Sequence, residues 1–146
     1  MKRFRFDLAK VLDLRQYHEQ EAKIELGKAI SILTEIENNI KQNAAAQVNA
    51  GKERFSGLAD AGGVGALSMF AWDSYILRLE QEAERLMEEA AQAELVVEEK
   101  RGLYLEAARE LKVMEKLKEK REGEYRKEMF AAQTREMDDL WRAKTG

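Results

Sequence analysis

Two stripes of mainly apolar residues, spaced alternately four and three apart, run through a chain of 146 residues that contains no proline. The first passes through Leu8, Leu12, Arg15, Glu19, Ala22, Leu26, Ala29, Leu33, Ile36, Ile40, Asn43, Gln47 and Ala50, and nine of these 13 stations are apolar. The second passes through Trp72, Ile76, Leu79, Ala83, Leu86, Ala90, Ala93, Val97, Lys100, Tyr104, Ala107, Leu111, Met114, Lys118, Arg121, Tyr125, Glu128 and Ala132, with 14 of 18 apolar. A 3.5-residue repeat sustained this long describes helices that supercoil left-handedly against a partner. Proline would remove a helical hydrogen bond and clash with the preceding turn, so its absence suits long unbroken helices. The expectation is an all-α rod that works by reaching and binding.

The chain has one clear interruption. Ala59-Asp60-Ala61-Gly62-Gly63-Val64-Gly65 places three glycines in four residues, which favours a turn. Asp7 is the expected N-cap of the first helix, and Ser68 that of the second, with Leu67 and Trp72 as a hydrophobic staple. The reading is one coiled-coil domain over 1–146, with helix one about 7–57, a turn about 58–67 and helix two about 68–142. Gly51 and Gly57 weaken the end of helix one, whereas long flanking helix absorbs Gly102 and Gly123. One short break between two long helices implies an antiparallel hairpin. Folding about Gly62–Gly63 sets Ala50 near Tyr75 and Leu12 near Val113, so helix two is longer and overhangs from about Glu119. Tyr125, Met129, Phe130, Leu140 and Trp141 on that overhang require another surface. Polar stations such as Arg15, Asn43, Gln47, Lys118 and Arg121 fix register at a cost in stability.

Charge divides along the chain. Residues 80–99 hold eight acids against Arg85 alone, and residues 112–127 hold seven bases against four acids. Residues 2–15 add five bases against two acids, beside 112–127 in the hairpin. The rod is therefore basic near its termini and acidic towards the turn, which suits different partners at its two ends. Interleaved acids and a pI near 5.4 argue against nucleic acid. The absence of cysteine removes disulfides and thiolate metal sites and fits a reducing compartment. No apolar run reaches the roughly 18 residues of a membrane span, and the basic start regains charge too early for a signal peptide. A cytoplasmic protein without direct membrane insertion is expected. His18 is the one histidine, and His18-Glu19-Gln20-Glu21-Ala22 lacks the second ligand of a zinc-protease helix. No phosphate loop is present, and paired carboxylates such as Glu88–Glu89 lie on a surface without a cleft. No enzyme activity, metal or cofactor is expected.

The run Phe4-x-Phe6-x-Leu8-x-x-Val11-Leu12-x-Leu14-Arg15, followed by Glu19, Glu21-Ala22, Leu26 and Ala29, resembles the flagellar export protein family FliJ. Tyr75-Ile76-x-x-Leu79-Glu80, the two-helix periodicity and the glycine break extend the resemblance over the whole chain. It implies a stalk that enters the central hole of the hexameric flagellar export ATPase and promotes ring assembly and activity. It also implies contact with the cytoplasmic domain of the export gate, hence peripheral association with the inner membrane, and escort of export chaperones. ATP hydrolysis would belong to the partner. Charge polarity together with the stalk resemblance assigns Phe4, Arg5, Phe6, Arg15, Lys118, Arg121, Tyr125, Arg126 and Phe130 to the ring. The resemblance assigns the gate-binding surface to Tyr75, Leu79, Glu82 and Leu86, with Ile40, Asn43 and Gln47 opposite by hairpin geometry. Alternatives are the equivalent stalk of a virulence-type secretion system, a generic structural coiled-coil tether, and a prefoldin-like holding chaperone.

Overall fold

A computed structural model describes residues 3–59 and 63–145, though not the side chains of 58–59 and 63–66. Two helices account for almost all of it: α1, Ala9–Ala59, and α2, Gly63–Thr145. Among the described residues there is no strand. The fold is an all-α helical hairpin, and the longer second helix overhangs at the terminal end. Asp60, Ala61 and Gly62, the centre of the expected turn, lie outside the described residues.

Both stripes are the packed faces. All 13 stations of the first are buried or half-buried, as is every station of the second from Trp72 to Tyr125. Glu128 and Ala132 are exposed: α1 begins only at Ala9, and Glu128 instead edges a cleft with Arg3, Phe4 and Arg5. Phe6, Leu12, Ala29, Ala50, Leu86, Ala93 and Val97 are buried, with Asn43 among them. Frequent alanine at the stations leaves a thin seam with close helix approach.

The chain divides into two compact units, Met1–Lys23 with Leu103–Gly146, and Ile24–Gly102. In the first, Arg15 meets Glu110 and Asp7 meets Arg121, so one partner rises in number as the other falls and the pairing is antiparallel. The second has the same sense, through Asn43 with Leu79 and Arg54 with Asp73.

Three local expectations are corrected. The first α-helical bond of α1 runs from Leu12 N–H to the Leu8 carbonyl at 2.9 Å, which makes Leu8 the cap. Asp7 instead accepts from Arg121 Nη1 at 3.3 Å, an exposed ion pair to the facing helix of the same chain. Ser68 is no cap either, because α2 is already helical from Gly63; it faces Gly57, where an added Cβ would lie 3.8 Å from its hydroxyl. Leu67 is exposed and forms no staple. Glycine costs a helix only about 1 kcal/mol each, so Gly63 and Gly65 are accommodated within α2.

The overhang also begins later than Glu119. Residues 3–6 are non-helical and lie along α2, bringing the Phe4 ring 5.5 Å from that of Tyr125. Extended chain advances up to about 3.3 Å per residue against 1.5 Å in a helix, so a few such residues cover two further turns of α2. Unbroken exposure starts at Ala132 and lasts to Thr145.

Gly27 and Gly102 are exposed inside the helices, and a Cβ built on either meets nothing within 4 Å. Gly27→Ala and Gly102→Ala therefore each raise the unfolding free energy by about 0.5–1 kcal/mol, read as a higher urea midpoint with an unchanged slope.

Candidate functional site

The terminal unit holds a cluster that the segment Arg3-Phe4-Arg5-Phe6-Asp7-Leu8 builds by simple alternation. Residues 3–6 are non-helical, and residues 7–8 turn into α1, with Ala9 N–H donating to the Phe6 carbonyl at 3.1 Å. Phe4, Phe6 and Leu8 are buried or half-buried, while Arg3, Arg5 and Asp7 are exposed. This explains the Phe-x-Phe entry: two rings close over α2 where α1 has not yet begun.

Arg121 stands at the centre. Its guanidinium lies over the Phe6 ring, 5.7 Å from the centroid, and Nη1 donates to Asp7 Oδ2. One turn on, the Tyr125 ring meets Phe4 at 5.5 Å with a 48° tilt. A cleft of about 250 Å³ opens between Phe4, Glu122, Tyr125 and Arg126. A second, of about 420 Å³, is lined by Arg3, Arg5 and Arg121 but also by Asp7, Glu124 and Glu128. The surface is thus of both signs, not uniformly basic. Arginine stacked on aromatics beside carboxylates suits recognition of a protein surface through apolar contact and oriented ion pairs.

The structure gathers Phe4, Arg5, Arg121, Tyr125 and Arg126 around these clefts, with Phe6 beneath the Arg121 guanidinium. Arg15 is not with them: its Nη1 donates to Glu110 at 2.8 Å, eleven residues up α2 from Arg121, or about 16 Å. Lys118 is a half-buried seam station. Phe130 is 73% exposed at the start of the overhang, where Met137, Leu140 and Trp141 are also exposed.

The second unit holds the other candidates. Asn43 Nδ2 donates to the Leu79 carbonyl at 3.0 Å, and Gln47 Nε2 donates to Asn43 Oδ1 at 2.7 Å. Leu86 and Asn43 are buried, while Ile40, Gln47, Leu79 and Glu82 are half-buried. Glu82 is hydrogen-bonded by the Arg85 guanidinium, which holds its carboxyl below the usual carboxylate range. Arg85 also donates to Glu89 at 2.6 Å. Of the gate candidates only Tyr75 is exposed. Its ring meets Trp72 edge-on at 5.9 Å, and Arg78 lies over it at 5.8 Å. A groove of about 470 Å³ beside it is floored by Ala46 and Ala50 and edged by Asn49, Glu53, Trp72 and Tyr75. Sequence reasoning did not single out Ala46, Asn49 and Glu53. The legible signal was alanine at both 46 and 50 opposite two aromatics, small residues facing large ones.

Among the described residues no group of three or more His, Cys, Asp or Glu is placed to hold a metal ion, and no helix is long and apolar enough to cross a membrane.

In comparisons with known proteins, the family model described as "Flagellar FliJ protein" matches residues 4–143. No curated protein and no solved structure gives a significant match.

Proposed function

Because the chain belongs to the flagellar FliJ family, coiled-coil proteins of flagellar export, we propose that it acts as the central stalk of the hexameric export ATPase. The aromatic–arginine cluster of the terminal unit carries this reading. A side chain that grips a ring lumen must present apolar area and directed charge together, and Phe4, Arg121 and Tyr125 do so. Exposed Arg126 and Phe130 extend the same surface towards the bare end of α2. Arg5 contributes charge at the cleft, Phe6 holds Arg121 in place, and Arg15 and Lys118 stiffen the seam behind. The hydrolysis is the ATPase's own; this chain contributes binding energy that favours the assembled ring.

The test is the ATP hydrolysis rate of the export ATPase from the same organism with and without the chain. The expected result is a several-fold increase that Arg126→Glu together with Phe130→Ser reduces to less than about a third. Both residues are exposed, so the double variant keeps its helicity. Full stimulation by the double variant would remove the terminal unit from the ring.

The second unit is assigned to the cytoplasmic domain of the export gate, which places the protein peripherally at the inner membrane. Tyr75 is the direct contact, with Leu79 and Glu82 at its margin. Ile40, Asn43, Gln47 and Leu86 act from within the seam by holding that surface in register. Tyr75→Ala then weakens gate binding about tenfold with unchanged circular dichroism; gate binding that survives it would move the contact elsewhere. Escort of export chaperones completes the role.

A further inference from the structure

A two-helix seam needs apolar residues only at its facing stations; a broader apolar face is the mark of a helix that meets a third element. The second unit has such a widening. Ile32 on α1 and Val96 on α2 flank the stripe on one side and are 56% and 43% exposed. With the seam residues Ile36 and Ala93 they floor a groove of about 480 Å³, walled by Arg85, Glu88, Glu89 and Gln92. Neither exposed residue is needed by the hairpin, whose own stations are filled.

Charge says what covers the groove. Its α2 wall belongs to the segment 80–99, where acids outnumber bases eight to one. The one base, Arg85, is held by Glu82 and Glu89 of its own helix, so it offers little to an incoming group. Positive charge on the visitor would be drawn to the rim and negative charge repelled. The groove runs from Arg85 to Val96, about 16 Å of α2, which matches three turns of a docked helix.

We propose that this groove docks an amphipathic helix of a partner protein, with apolar residues spaced three and four apart and lysine or arginine on both flanks. Ile32 and Val96 grip the apolar stripe, and Glu88 meets the flanking cations. The inference stands independently of the stalk reading, since it uses neither the terminal unit nor the ATPase.

The experiment titrates the full chain into a fluorescent synthetic helix of about four turns, with leucine along one face and lysine on both flanks. A twin peptide carries glutamate in place of lysine. The lysine peptide is expected to bind at least about tenfold tighter than the twin. Ile32→Ser with Val96→Ser is expected to weaken it about tenfold, while Leu77→Ser, exposed elsewhere in the same unit, leaves it unchanged. Equal affinity for the two peptides, or binding untouched by the double variant, would overturn the proposal. So would self-association of the chain alone that the double variant abolishes, which would give the groove to a second copy.

Discussion

Phe6→Ala lowers the unfolding free energy of the terminal unit by about 2–3 kcal/mol. Phe6 is 8% exposed, packed where residues 3–8 lie along α2, and its ring carries the Arg121 guanidinium. Alanine removes the buried ring and a cation–π contact worth about 0.5–1 kcal/mol. The effect falls below that of a globular core because the seam is only two layers thick. Residues 3–6 lie outside the helix ladder, and beyond the Phe6 carbonyl, which accepts from Ala9 N–H, side-chain contacts hold them. Without the ring the segment loosens and Phe4 leaves Tyr125; on the proposed stalk role, stimulation of the ATPase falls with it. Phe6→Leu retains most of the apolar cover and costs about 1 kcal/mol. Urea unfolding followed at an added probe in residues 103–125 reads both. An alanine variant within about 0.5 kcal/mol of the parent would show that the segment is not anchored there.

Asn43→Asp costs about 2–4 kcal/mol at neutral pH, in the other unit. Asn43 is 7% exposed, and its amide is used on both sides: it donates to the Leu79 carbonyl and accepts from Gln47. Aspartate preserves the shape but turns the donor into a second acceptor, aimed at a carbonyl, and leaves a buried charge with Gln47 as its amide partner. Asn43→Leu is the informative control. It supplies an apolar group at a seam station and frees Gln47, itself half-buried, to turn to water. Its stability stays within about 1 kcal/mol of the parent, while the register device is lost. If aspartate and leucine behaved alike in thermal unfolding, the hydrogen bond to Leu79 would not be the reason for asparagine at this station.

The seam was legible in the sequence because its cause is local and periodic. A 3.5-residue rhythm needs a facing helix, and each station of α1 found one. Where the rhythm misled, the reason lay across the chain. Glu128 and Ala132 keep time with the stripe, yet α1, which begins at Ala9, does not reach them. The end of cover depended on residues 3–6 lying non-helical along α2, where Phe4 and Phe6 alternate with exposed Arg3 and Arg5. Gly63 and Gly65 read as part of the break yet lie within α2, because propensity weighs each residue singly while helix growth is cooperative. Site residues were less legible. A sequence shows that Arg15 and Arg121 are charged but not that each is engaged by a carboxylate some hundred positions away, Glu110 and Asp7. The stripe itself separates Leu86, a buried station, from Tyr75, which lies off it and is exposed, yet the family resemblance assigns both to one surface.

Site-specific photo-crosslinking tests the stalk most directly. A benzophenone analogue of phenylalanine at position 130 keeps an aromatic ring where Phe130 is already exposed. The labelled chain is irradiated with the assembled export ATPase and nucleotide, and the attachment site is mapped by mass spectrometry. A stalk whose terminal unit enters the ring gives adducts on ATPase residues that line the central hole, with the same label at position 75 giving none. Adducts from position 75 in the hole, or from position 130 only on the outer face of the ring, would contradict it.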